Sequence, residues 1–316
     1  MPVNVIHFKY QGRARWGVVR RGQITPIAGD YPGTADFLRS VKVEELARVE
    51  GSTIDESLVE QLSPVTRDRQ FVCQGANYRQ HMIESGINPD IKAYNMIFTK
   101  ASSCIVPADH DVILPRHVRF LDYEIELGLV LKRDITSRLQ ITKPNLGDFI
   151  AGIVILNDYS ARDIQIPQMQ FYKGKSFRTF GPVGPYLCLL EPGDLELLDN
   201  LDLELTVNGK MRQKDNTKNL VYGPAETLTE LSSIQDLFTG DLIATGTPAG
   251  CALSIPSPTK QKLGALLSEK KKWEIFFNVQ AKRPYLQPND VVEARITSPD
   301  GRIDLGVQRN KIVAEP

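Results

Sequence analysis

The chain is poor in the residues that would commit it to several common chemistries. It has four cysteines, Cys73, Cys104, Cys188 and Cys251, and the two nearest neighbours, Cys73 and Cys104, stand 31 positions apart (104 minus 73). That spacing excludes a CxxC pair and a zinc finger, and scattered single thiols fit a reducing compartment better than a disulfide framework. Neither sign of charge predominates: 38 basic residues balance 38 acidic ones. There is no bulk field to gather nucleic acid or an anionic membrane, so neither is expected as a partner. The longest apolar run, Phe149 to Leu156, is far short of the ~20 residues that cross a bilayer. No GxSxG, HExxH or GxGxxG occurs, and Gly174-Lys175-Ser176 is not a phosphate loop, because the earlier glycine would fall at Met169.

One absence near the start points two ways. No acid precedes Asp30 while Arg13, Arg15, Arg20 and Arg21 are present, a composition shared with transit peptides. Against that, Met1 to Tyr10 alternates like a strand and no serine appears before Ser40. An N-terminal strand and a cytoplasmic location are expected, with a mitochondrial address as the alternative.

What is present is a packable chain of 316 residues, 41% hydrophobic and 24% charged, long enough for one large domain or two unequal ones. Short strands around the Gln11-Gly12 turn, then a helix from Asp36 to Val49 capped by Thr34, suggest a small N-terminal α/β domain over residues 1–65. Residues 66–316 read as the larger domain. There the strand signal dominates, in Phe71 to Tyr78, Met96 to Pro107, Val118 to Leu131, Ile150 to Leu156, Val183 to Leu190, Leu201 to Val207, Asp241 to Thr245, Val291 to Ile296 and Ile303 to Val307. Helices are expected only at Tyr78 to Ser85, Thr227 to Leu237 and Lys260 to Lys271. The fold class is α+β and β-rich.

Three signals carry chemistry. In Leu121-Asp122-Tyr123-Glu124-Ile125-Glu126-Leu127, a continuous strand would put Asp122, Glu124 and Glu126 on one face. Two buried carboxylates so close need a cation between them; a half-exposed strand is the plainer reading. The apolar run to Leu156 ends in Asn157-Asp158, delivering another acid at a strand end. Three oxygen-only carboxylates suit Mg²⁺ or Mn²⁺, and zinc is disfavoured because no cysteine joins them. Third, His81 and Glu84 are three apart on a short helix, the spacing of a base oriented by a carboxylate and equally of an ordinary surface pair.

Together these motifs resemble the fumarylacetoacetate hydrolase family. The resemblance runs through Gln74-Gly75-Ala76-Asn77-Tyr78-Arg79-Gln80-His81, Ile97-Phe98-Thr99-Lys100, Asp122 to Leu127, Asn157 to Gln165, Lys175 to Pro185 and Gly240 to Gly250, in that order. It implies a mixed β-sandwich roll, usually a homodimer, with Glu124, Glu126 and Asp158 holding Mg²⁺ or Mn²⁺. It further implies that His81 and Glu84 form an acid/base dyad acting with Lys175, and that Tyr78, Lys100, Gln165 and Thr247 face the substrate, a small 2-oxo or diketo acid. The reaction expected first is hydrolysis of a C–C bond in an acylpyruvate; oxaloacetate decarboxylation and keto–enol isomerisation are alternatives, and an inactive ligand-binding protein a remote one. Two features depart from the family pattern. Ala76 stands where relatives often carry a larger polar or basic side chain, and residues 252–282 form an insertion. The aromatics Trp273 to Phe277 in that insertion are expected to pack rather than face water.

Overall fold

The computed structural model describes residues 1–256 and 266–316. Its centre is the antiparallel pair Ile125–Leu131 and Ile150–Asn157. Leu127, Leu129, Ile153 and Ile155 enter one apolar cluster, and Val130, Val154 and Leu156 enter another. Alternate residues therefore bury opposite faces, which is why both strands read as near-continuous apolar runs. Gly128 belongs to this packing: a Cβ there would lie 2.7 Å from Val154.

From that pair the sheet grows both ways. Leu242–Ala244 lies antiparallel to Ile125–Leu131, Phe71–Gly75 runs parallel to it, and Met96–Lys100 follows. On the other side come Tyr186–Leu189, Val3–Tyr10, Arg13–Arg20, Gln23–Pro26 and Ile54–Asp55. The expected boundary near residue 65 thus falls between strands of one sheet, since Val3 pairs with Leu189 and His7 with Leu62. A second sheet holds Lys210–Asn216, Asp202–Val207, Val291–Thr297, Asp304–Ala314 and Val112–Leu114. Its Leu203, Leu205, Ala294 and Leu305 share a cluster with Leu127 and Ile153, making the two-sheet β-rich architecture expected from the sequence. Two turns expected from Gln11-Gly12 and Asn208-Gly209 form as hairpins, all four residues having φ between 50° and 77°.

Several expected elements are shorter. The helix from Asp36 to Val49 divides into Thr34–Ser40 and Val43–Leu46, with Val41 extended at φ −118°. Thr34 does not cap it; its hydroxyl donates to the Pro64 carbonyl, and Gly33 takes the cap position. The strand from Met96 to Pro107 is interrupted by a turn of 3₁₀ helix at Ser102–Cys104, and Val183 to Leu190 by the Gly184-Pro185 corner. The helix at 227–237 forms earlier, as Pro224–Leu231. Of the helix expected from Lys260 to Lys271, residues 260–265 lie outside the described residues; the described helix is Glu269–Gln280, capped by Ser268. Of its aromatic group, Phe276 and Phe277 pack against the main cluster, with Phe277 5.8 Å from Phe120, whereas Ile275 is exposed.

The break that matters for function is at Tyr123-Glu124. The strand from Val118 to Leu131 is not continuous: Leu121–Asp122 pairs with Ser160–Ala161, and the main strand starts only at Ile125. The Asp122 carboxylate accepts the Tyr123 amide at 3.0 Å, a local bond that competes with ladder pairing. Asp122 consequently does not share the acidic face of Glu124 and Glu126, as an unbroken strand would require.

Candidate active site

Strand pairing assembles the acids. Ile125 is paired with Asn157, so Glu124 and Asp158 meet where that ladder ends, and the Asp158 amide donates to the Glu124 carbonyl at 2.8 Å. Gly128 is paired with Ala244, so the next loop, Gly246-Thr247, comes alongside Glu126. The Gly246 amide donates to Glu126 Oε2 at 2.8 Å. Gly246 has φ +89°, and a Cβ there would lie 2.9 Å from Asn77 Cβ, so glycine is required where this amide is aimed. One ligand atom from each of Glu124, Glu126 and Asp158 lies within 4.8 Å of the others, and all three side chains are buried.

Buried cations answer these acids. Lys175 Nζ donates to Glu124 Oε2 and Asp158 Oδ2, both at 2.5 Å. Lys100 Nζ donates to Asp158 Oδ1 at 2.6 Å and the Phe180 carbonyl at 2.7 Å. Arg162 donates from Nε to Asp122 Oδ2 at 2.9 Å, from Nη2 to Glu124 Oε1 at 2.5 Å and from Nη1 to Gln165 Oε1 at 2.8 Å. Burial alone would push the Glu124 carboxyl up, but Arg162 and Lys175 outweigh it and hold Glu124 well below the usual range. Burial opposes the Lys175 charge, yet Asp158 and Glu124 raise its pKa. Glu126 differs: burial pushes its carboxyl well up, Asp158 and Glu124 add to that, and among the described residues it has no ion pair.

The donor set therefore fits a divalent cation. Four buried carboxylates, Asp122, Glu124, Glu126 and Asp158, face three buried cations, Lys100, Arg162 and Lys175. The uncompensated negative charge falls at Glu126, beside Asp158 and Glu124, and all three offer hard oxygen donors. A sulfur is nearer than the sequence suggested, correcting one premise: Cys251 Sγ lies 3.8 Å from Glu124 Oε1. Burial keeps that thiol's pKa well up, so it remains protonated.

A cavity of about 180 Å³ opens over this centre, lined by Glu124, Glu126, His81, Arg162, Gln165, Lys175 and Thr247 among others. The sequence-derived residues are distributed unevenly around it. His81 reaches it from the helix Arg79–Glu84; its Nδ1 is buried without a partner, and burial lowers its pKa, with Glu124 partly offsetting this. Among the described residues no hydrogen bond or ion pair joins His81 to Glu84, and Glu84 is exposed and lines a different pocket. Tyr78 is fully buried and is not part of the cavity wall. Lys100 sits behind Asp158 rather than on the wall. The Thr247 hydroxyl is engaged, donating to the Ile125 carbonyl at 2.9 Å and accepting from Gln213 at 2.8 Å.

Sequence reasoning assigned no role to Arg162, Asp122 or Gln213. The signal for Arg162 was its place four residues after Asp158: buried acids need cations, and this is an arginine within the same motif. Gln213 also accepts from the Ile125 amide at 3.0 Å, clamping the strand start to the Thr247 loop.

Residues 70–313 match the family model described as the fumarylacetoacetate (FAA) hydrolase C-terminal domain. The chain belongs to the fumarylacetoacetate hydrolase family, a family of enzymes. Among curated relatives it is 31% identical to the mitochondrial oxaloacetate tautomerase FAHD2B of Bos taurus, over 84% of this chain and 75% of that one. It is 33% identical to the 2,4-didehydro-3-deoxy-L-rhamnonate hydrolase of Sphingomonas sp., over 77% and 83%. Among solved structures it resembles the fumarylacetoacetate hydrolase of psychrophilic Exiguobacterium antarcticum, with a TM-score of 0.72, 29% identity and coverage of 99% of this chain and 100% of that one. No helix among the described residues is long and apolar enough to cross a membrane.

Proposed function

We propose that this protein catalyses keto–enol proton transfer on a small 2-oxo acid, with oxaloacetate the first candidate. Glu124, Glu126 and Asp158 would hold Mg²⁺ or Mn²⁺. When bound, the cation supplies a Lewis acid for the carboxylate and keto oxygens of such an acid and stabilises the charge that develops on the keto oxygen.

The chain's own groups do the rest. His81 is kept neutral by burial and has an unengaged Nδ1, so it is the cavity's proton acceptor from the carbon next to the ketone. Gln165 has its carbonyl fixed by Arg162, which leaves its amide NH₂ to orient the substrate. Lys175, between Glu124 and Asp158, places a positive charge beside the oxygens.

The observation that carries proton transfer ahead of hydrolysis is that, among the described residues, no hydrogen bond or ion pair joins His81 to Glu84. A water-activating base needs an orienting partner, and Glu84 lies in the neighbouring pocket. Cleavage of an acylpyruvate is the second reading, favoured by the relative named as a rhamnonate hydrolase. Incubation with Mg²⁺ and either enol-oxaloacetate or an acylpyruvate separates them. Accelerated loss of enol absorbance with oxaloacetate as product supports tautomerisation. Release of pyruvate from the acylpyruvate alone overturns it in favour of hydrolysis.

A further inference from the structure

Beside the metal cavity lies a larger pocket, of about 390 Å³, that the proposed reaction does not use. The two share the walls Leu253 and Ile255. They also take neighbouring residues of one segment: Glu124 lines the first cavity and Tyr123 the second. Arg212 and Arg283 contribute two guanidiniums to that pocket, and Glu84 its one carboxylate. Arg212 Nε is buried without a hydrogen-bond partner, and among the described residues neither arginine has an ion pair. Buried guanidinium nitrogens are ordinarily hydrogen-bonded, so the orphan Nε marks a guanidinium that the chain itself leaves short of acceptors, on a residue that lines the pocket.

The walls are built rather than loose. The Tyr123 hydroxyl donates to the Gly250 carbonyl at 3.2 Å, and Asp122 accepts the Ala252 and Leu253 amides at 2.8 and 3.0 Å. Arg283 Nε donates to the Ala252 carbonyl at 3.0 Å, which leaves both its Nη groups unspent. Gln280 both donates to and accepts from the Ser254 backbone. Leu253, Ser254 and Ile255 at the start of the insertion, and Arg283 and Pro284 just after it, form part of the wall, so the segment in which this chain departs from the family pattern contributes to the pocket. Meanwhile Ala76, which lines the metal cavity, provides no polar group for a substrate's far end.

We infer that the second pocket is an anion subsite, in which Arg212 and Arg283 receive a carboxylate. The favoured source is the far end of a 2-oxo diacid whose keto-acid end occupies the metal cavity; this assignment rests on the proposed function. A separate small acid is the other source of the same group. Paired guanidiniums suit a carboxylate because their planar forks match its two oxygens.

The test compares a carboxylate-tailed 2-oxo acid with its methyl ester on wild type, Arg212→Gln, Arg283→Gln and Arg212→Lys, together with calorimetric titration of glutarate and of acetate into the Mg²⁺-loaded proteins. If the carboxylate is the substrate's tail, either glutamine variant lowers the acid-to-ester ratio of kcat/KM about tenfold, the scale of one charge-assisted hydrogen bond. Arg212→Lys then retains part of the preference. If the anion is a separate acid, the ratio holds while acetate binds wild type and not Arg212→Gln. The subsite is overturned if both glutamine variants keep the ratio and the binding of both anions. Should no 2-oxo acid be turned over, the functional proposal fails, and the glutarate and acetate titrations alone decide the subsite.

Discussion

Lys175 and Asp158 meet at 2.5 Å, Nζ to Oδ2, with the same ammonium reaching Glu124. This pairing satisfies two of the three acids, so the third, Glu126, is left holding the excess charge of the site against one backbone amide.

Glu126→Gln should therefore have opposite effects on folding and on metal binding. Without metal this buried carboxyl must either carry an unpaired charge or take up a proton, so replacing it stabilises the metal-free protein at neutral pH by about 1–2 kcal/mol, which at this size raises Tm by a few degrees. The same change removes a ligand and lowers Mg²⁺ affinity by at least tenfold. Calorimetric unfolding without metal and Mn²⁺ titration by electron paramagnetic resonance check the two arms. A lower metal-free Tm with unchanged affinity would contradict the assignment.

Arg162 behaves differently because it is shared. It bonds Asp122, Glu124 and Gln165 and is itself buried. Arg162→Leu leaves the buried Asp122 without a cation and Glu124 with Lys175 alone, so a loss of about 3–5 kcal/mol is expected in urea unfolding. A loss below 1 kcal/mol would mean that water reaches these acids.

How far the sequence went follows from which contacts are local. The alternation from Val118 to Leu131 and the run from Ile150 to Leu156 announced strands, and the pairing of their observed cores, Ile125–Leu131 and Ile150–Asn157, brings Glu124, Glu126 and Asp158 together as the acidic spacing suggested. Local turn chemistry at Asn208-Gly209 was equally readable. What escaped was decided by distant partners. Thr34 reads as a cap, but Pro64 and Thr66 take its hydroxyl. Asp122 reads as the next acid on a strand face, but Arg162, Ala252 and Leu253 turn it elsewhere. Cys251 reads as a lone thiol, but its loop folds back onto Glu124. Each is a tertiary contact that overrides a local preference, which no window of sequence contains.

A pH effect on stability is expected from His7, remote from the acidic cluster. It is buried, stacks on Trp16 at 4.6 Å, and its Nδ1 lies 2.9 Å from the Ser63 carbonyl. Burial lowers its pKa below the ordinary 6.5, with the Ser63 carbonyl partly offsetting this. Well above pH 6.5 neither the folded nor the unfolded imidazole binds a proton, and His7 adds no pH dependence. Below 6.5 the unfolded chain takes up the proton first, so stability falls with pH until the folded value is reached, at a slope of at most ~1.4 kcal/mol per unit. His7→Gln should flatten that part of the urea-derived stability profile; an unchanged slope would show that His7 protonates in place.

The last expectation separates the two reactions through His81 and Glu84. His81 lines the cavity over Glu124 and Glu126, and Glu84 does not. His81→Ala should lower kcat by ~10²–10⁴ for either reaction, the usual contribution of a positioned base. Glu84→Gln is the discriminating change. Proton transfer from a carbon acid needs a neutral imidazole in place, and burial already keeps His81 neutral, so Glu84→Gln should cost tautomerisation less than about threefold. Hydrolysis needs the imidazole oriented on a water and stabilised once charged, a task for a carboxylate that has moved within hydrogen-bond reach. Loss of a hundredfold or more in Glu84→Gln, for pyruvate release from an acylpyruvate, would show that the helix Arg79–Glu84 rearranges to form the dyad and that hydrolysis is the native reaction. Equal small losses in both assays would leave Glu84 as a wall of the neighbouring pocket, where the structure puts it.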